Sequence, residues 1–207
     1  MTFTDLNKLK ADLEKNFQNF PLVEKPTDII HGEGNESAAV MLIGEAPGYY
    51  ESVQRRPFVG RSGQLLRKVL TESGLEESQV YISNIVKVRP PDNRDPLPEE
   101  ILAFKLYLDA EIEIIKPKLI VTLGRFSMAK FLPEVKVSEV HGRLHKVKWN
   151  NRTLFVLPMY HPAAALRATR VKEAFIKDFA KIEKIIAWVE TASEGEEFTE
   201  IVKEALL

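Results

Sequence analysis

Three short polar stretches carry residue types from which chemistry can be built. Gly44-Glu45-Ala46-Pro47-Gly48 offers a carboxylate in a turn framed by glycine and proline, Asn84 offers an amide, and His161, followed by Pro162, offers an imidazole on a restrained backbone. A carboxylate, an amide and an imidazole brought together suit hydrolysis with hydrogen-bonded readout of a polar ring. Singly, each has a plainer explanation as a turn or loop former. The chain has no cysteine, which removes thiolate nucleophiles, disulfides and cysteine-held metal centres. It also lacks a Gly-x-Gly-x-x-Gly pattern and a Walker lysine, so a nucleotide phosphate loop at residues 44–48 is disfavoured.

The elements that must position these groups can be read from hydrophobic patterning. Four short apolar runs, residues 39–43, 80–86, 119–123 and 154–159, read as buried strands. Helical patterns fall between or after them at 64–75, 98–115, 125–132 and 171–189, the last with Phe175, Phe179, Ile182 and Ile186 at helical spacing. Alternating strands and helices predict an α/β fold, a three-layer α/β/α sandwich around a central, mostly parallel four-stranded sheet. In such sheets ligands collect beyond the carboxyl ends of the strands, where all three polar stretches fall. The basic segment 143–152, alternating with Leu144, Val147 and Trp149, reads as an edge strand.

With 207 residues, 29 basic and 30 acidic, the chain has a formal net charge of −1 and 44% hydrophobic content, as expected of one ordinary globular domain. Residues 189–207 hold six glutamates and one lysine, so that segment carries −5 and the body, 1–188, carries +4. The expected organisation is a single domain over 1–188, with an N-terminal helix at 4–20 packed on it. An acidic tail follows at 189–207, with a short helix at 198–207. No run approaches the ~18 apolar residues of a membrane helix, and no signal-peptide pattern opens the chain. A monomer in the cytoplasm, away from membranes, is expected.

Five motifs in order resemble the family 4 uracil-DNA glycosylases: Gly44-Glu45-Ala46-Pro47-Gly48, Arg56-Pro57-Phe58-Val59-Gly60-Arg61-Ser62-Gly63, Asn84-Ile85-Val86-Lys87, Arg89-Pro90-Pro91 with Asn93-Arg94, and His161-Pro162-Ala163. The resemblance spans roughly residues 16–188. It implies a monofunctional hydrolase that flips uracil from DNA and leaves an abasic site, acting on single- or double-stranded DNA. It also implies site roles. Gly44, Ala46, Phe58 and Asn84 would hold the base, Phe58 by stacking and Asn84 by reading N3–H and O4. His161 would donate to uracil O2 as charge develops there, and Glu45 would orient water near the sugar. Glu51 falls where an acidic side chain could exclude the thymine methyl.

On the same resemblance, the stretch Ala165-Leu166-Arg167 belongs to a loop that wedges into DNA, and Pro162 and Ala163 before it are expected DNA contacts. Arg61, Ser62, Lys87 and Arg89 would meet phosphates, joined by Arg55, Arg56, Arg94 and Arg170. Family members usually hold a four-iron four-sulfur cluster through four cysteines. Alignment places those positions at Phe17, Phe20, Val88 and Phe104, all apolar, so no cofactor and no metal are expected. Leu6, Leu9, Leu13, Phe17 and Phe20 share one helical stripe, and Ile101, Phe104, Leu108, Ile112 and Ile115 another. A hydrophobic contact between them is expected in the cluster's place. Two alternatives stay open: a uracil-DNA binding protein without turnover, and a glycosylase preferring hypoxanthine or xanthine.

Overall fold

The apolar runs become strands that are covered on both sides. The computed structural model describes residues 3–150 and 152–191. In chain order the elements are α1 (Leu6–Lys15), β1 (Glu33–Gly34), β2 (Val40–Gly44), α2 (Tyr49–Gln54), α3 (Arg61–Glu72), β3 (Val80–Asn84), α4 (Pro98–Ile115), β4 (Leu119–Leu123), α5 (Arg125–Ala129), α6 (Val137–Val140), β5 (His145–Trp149), β6 (Arg152–Met159), α7 (Pro162–Arg167), α8 (Thr169–Phe179) and α9 (Ile182–Thr191). Every residue of β2, β3 and β4 is buried, as a parallel sheet with helices on both faces requires.

The sheet order is β1-β3-β2-β4-β6-β5. The central four strands are parallel, and β1 and β5 pair antiparallel at the edges. The four parallel strands are the expected ones, and two antiparallel edge strands extend the sheet to six. β5 is the basic segment read as an edge strand, while β1 pairs over two residues and has no alternating pattern to announce it.

Period-2 alternation sorts the strand side chains into two cores. Met41, Ile43, Tyr81, Ile120 and Val156 pack with α1 and α4. Val40, Leu42, Ile82, Val121 and Leu157 pack with α3, α8 and α9. This is the three-layer sandwich. Gly44 pairs in register with Asn84, and Leu123 with Met159. The four strands therefore end level, and their following loops open on one side.

Two helix expectations change. The pattern at 171–189 divides into α8 and α9 at Ala180–Lys181, although Phe175, Phe179, Ile182, Ile185 and Val189 stay buried in one core. Continuous burial preserved the periodicity across the break. The N-terminal helix is shorter than 4–20: Asp5 caps it by accepting the Lys8 N–H at 2.9 Å, and after Asn16 the chain tightens into a 3-10 turn at Phe17–Asn19. The expected helix at 198–207 lies outside the described residues. No helix among the described residues is long and apolar enough to cross a membrane.

Candidate active site

Beyond the level strand ends lies a cleft of about 660 Å³ lined by Glu45, Ala46, Glu51, Phe58, Asn84 and His161, among others. It draws on loops after all four parallel strands, so sheet register alone brings together residues spread over more than a hundred positions.

One wall depends on glycine at two points. A Cβ at Gly44 would stand 2.4 Å from both Asn84 Oδ1 and Phe58 Cζ, and one at Gly63 would stand 1.9 Å from the Phe58 carbonyl oxygen. Phe58 is itself left-handed, with φ +55°, a strained choice for a bulky residue. The strain is held from two sides. Arg67 donates from Nε to the Phe58 carbonyl at 3.0 Å and from Nη2 to the Pro57 carbonyl at 3.2 Å, while pairing with Glu33 and Glu77. Glu51 accepts from the N–H groups of Val59 at 2.9 Å, Gly60 at 2.8 Å and Gly48 at 3.2 Å. Both Glu51 oxygens are thereby committed to bracing the pocket loops.

Asn84 is 3% exposed, and its Oδ1 has no hydrogen-bond partner among the described residues. A buried unpaired acceptor is costly, and this one lines the cleft where a ligand N–H would satisfy it. The His161 ring stands 6.1 Å from the Phe58 ring. Its Nδ1 accepts the Ala163 N–H at 3.2 Å, so the proton of the neutral ring sits on Nε2. Burial, and secondarily the Arg167 charge, push its pKa down to about 4, against a weaker pull from Glu51. It is a neutral donor at neutral pH. Glu45 moves the other way. Burial first and the Asp95 charge second push its carboxyl up to about 7, with Arg125 opposing. Asp95 and Arg125 form an ion pair in the cleft lining.

The sequence profile of the uracil DNA glycosylase superfamily matches residues 31–189. The chain belongs to that superfamily. It is 43% identical to a type-4 uracil-DNA glycosylase of Sulfurisphaera tokodaii over 165 residues, covering 77% of this chain and 75% of the relative. It is 40% identical to the type-4 uracil-DNA glycosylase of Archaeoglobus fulgidus over 179 residues, covering 84% of this chain and 85% of the relative. That of Saccharolobus solfataricus is 38% identical over 185 residues, covering 86% of each chain.

The iron–sulfur cluster expected of such a glycosylase finds no ligands at the aligned positions. Phe20, Val88 and Phe104 are buried in one core cluster with Phe17 packed against it. The Phe20 and Phe104 rings stack at 4.9 Å, 19° from parallel, and none of these side chains offers a donor atom to iron. Among the described residues no three His, Asp or Glu groups are placed to hold a metal.

The expected DNA-facing residues divide. Arg61, Ser62, Ala163 and Arg167 line the cleft, and Leu166 is exposed beside them. Arg89 donates to Asn93 Oδ1 at 2.8 Å, and its guanidinium lies 5.3 Å from the Tyr49 ring. Lys87 must be withdrawn from the phosphate rim: it is 1% exposed and paired with Glu111 at 2.6 Å and with the Ser83 hydroxyl. Pro162 is also withdrawn as a DNA contact, being buried as the first residue of α7. Arg55, Arg56 and Arg94 are held by Glu14, Glu33 and Glu100.

Sequence reasoning missed Arg67, Asp95, Arg125, Tyr49 and Tyr50 as parts of this site. Arg125 had a usable signal, since it follows Gly124 at the end of the one central strand whose loop looked unremarkable. Arg67 had none, because its partners are 10 and 34 positions away.

Proposed function

We propose that this chain excises uracil from DNA by hydrolysing the N-glycosidic bond, without strand cleavage. The observation that carries the reading is the buried, unpartnered Asn84 Oδ1 beside Phe58 and the neutral His161. Uracil N3–H satisfies that acceptor, and the amide NH₂ donates to O4. Cytosine presents the opposite pattern at both atoms, which leaves buried polar groups unpaired and penalises it strongly.

As the bond breaks, negative charge gathers on the uracil ring. His161 Nε2–H donates to O2, a fixed dipole that needs no reorganisation in a shielded site. A neutral imidazole suits this role because it gives a hydrogen bond without having to give up its proton. Glu45, ionised, accepts a proton from the attacking water and lies near the positive charge developing on the sugar. Its raised pKa places it near the pH at which a general base is most effective. Phe58 supplies the face on which the extruded base stacks, paying back part of the unstacking cost.

The test is a labelled oligonucleotide holding one uracil opposite G, opposite A or unpaired. Alkali-labile sites from the wild type, with losses of about 10²–10⁴-fold in Glu45→Gln and Asn84→Ala, support the reading. Tight uracil-dependent binding without product would reduce the protein to a uracil-DNA binder.

A further inference from the structure

We propose that Tyr49 and Tyr50 form a stacking shelf for an unpaired base of the strand, next in line to the extruded uracil. The inference rests on the uracil-DNA reading above and adds a second base subsite to it.

Both tyrosines follow directly on the Gly44–Gly48 loop, in α2, and both line the cleft. Neither is drawn into a core: they are 56% and 57% exposed. Their rings meet edge to face, 5.5 Å apart at 78°, an arrangement that leaves aromatic surface open to a third ring. Two adjacent tyrosines on a cleft lip are an unusual use of aromatic area unless a ligand covers it.

What covers it is argued from its surroundings. Arg89 lies against Tyr49 and is steadied by Asn93, which places a cation beside the rings. Arg61 and Arg167, which line the same cleft, make no ion pair among the described residues. Aromatic faces interleaved with cations along a groove are the arrangement that binds single-stranded nucleic acid: cations follow the backbone and rings stack on bases regardless of sequence. A paired neighbour is held in the helix by its partner strand and cannot turn onto the shelf, whereas an unpaired neighbour is free to lay its face on it. The exposed Leu166 and Arg167, the expected wedge, stand on α7 after β6, whereas the tyrosines follow β2, and β4 lies between those strands in the sheet. The strand thus has different protein surfaces on the two sides of the uracil.

The experiment measures affinity of the full chain for single-stranded oligonucleotides carrying a non-cleavable 2′-fluoro-deoxyuridine, with either ordinary or abasic neighbours. Tyr49→Ala/Tyr50→Ala should bind the ordinary oligonucleotide about tenfold or more weakly, and Tyr49→Phe/Tyr50→Phe should bind it like the wild type. On the oligonucleotide with abasic neighbours, wild type and the alanine variant should converge. Unchanged affinity in the alanine variant, or a loss that persists with abasic neighbours, overturns the shelf. A uracil excision assay on the same proteins separates the two ideas. Excision without the tyrosine dependence removes the shelf alone; tyrosine-dependent binding without uracil preference or excision keeps the shelf and removes the glycosylase reading.

Discussion

The backbone N–H of Ala163 points at Nδ1 of His161, 3.2 Å away, and this one bond decides what the imidazole can do. With Nδ1 occupied as an acceptor, the ring can donate only from Nε2, and protonating Nδ1 would set two donors against each other. The depressed pKa of His161, about 4, has the same consequence. Replacing His161 by Ala should lower single-turnover uracil excision by about 10²–10³-fold, the usual loss for one oxyanion donor. The pH dependence of stability gives a second check. A histidine whose folded pKa lies below its unfolded value of 6.5 leaves the unfolded state binding more protons between those values. Wild-type stability should therefore fall as pH drops from about 6.5 towards 4, and His161→Gln should flatten that limb in denaturant titrations at each pH.

Glu45 should impose a rising limb on the excision rate, centred near its raised value of about 7, because only the carboxylate can take a proton from water. Asp95 raises that pKa and Arg125 lowers it. Asp95→Asn should accordingly move the limb to lower pH, and Arg125→Gln should move it to higher pH. Single-turnover rates across pH 5 to 9 read both shifts. A limb that stays in place in both variants would show that Glu45 is not the group being titrated.

The sheet and three of its loops were legible because both depend on local pattern: apolar runs bounded by turns, and motifs at the strand ends. Lys87 was misread for a related reason. It follows a strand carrying a site residue, where a cation is expected to face outward, yet Val86 and Val88 on either side of it are buried and the lysine is drawn inward to Glu111, 24 positions away. Pairings such as Arg55 with Glu14 and Arg56 with Glu33 span 41 and 23 residues, so no local pattern separates them from free arginines on a phosphate rim. The absence of cysteine, by contrast, was visible as composition, and the two apolar stripes that meet at Phe20 and Phe104 were visible as periodicity.

Lys87 and Glu111 are buried together, with the Ser83 hydroxyl bonded to both. Burial pushes the lysine pKa down while Glu111 pulls it up. Removing one partner strands the other charge in a dry interior, so Lys87→Met should cost about 3–5 kcal/mol of stability. Lys87→Met/Glu111→Leu should recover much of that loss, since a well-packed apolar pair replaces a charged one at little net cost. The salt dependence of DNA affinity discriminates further: Arg167→Ala should reduce the slope of log K against log salt by about 1, whereas the double variant should leave it unchanged.

The stacked Phe20 and Phe104 join the N-terminal segment to α4. Tyr107 meets Phe20 edge-on at 5.3 Å, and its hydroxyl donates to Asp12 Oδ2 at 2.7 Å, so α1 is tied to α4 by apolar contact and one hydrogen bond. Phe104 is fully buried, and Phe104→Ala should cost about 3–5 kcal/mol through lost transfer energy and the cavity left behind. Because the tether is local, hydrogen exchange in residues 6–15 should rise more than in β2 or β4, marking early release of α1 from the sheet. A metal chelator should leave the wild-type Tm unchanged, since ring stacking and a tyrosine–carboxylate hydrogen bond hold the segment. A Tm that falls with chelator, or equal exchange gains in α1 and β4, would show that something other than these rings holds the segment.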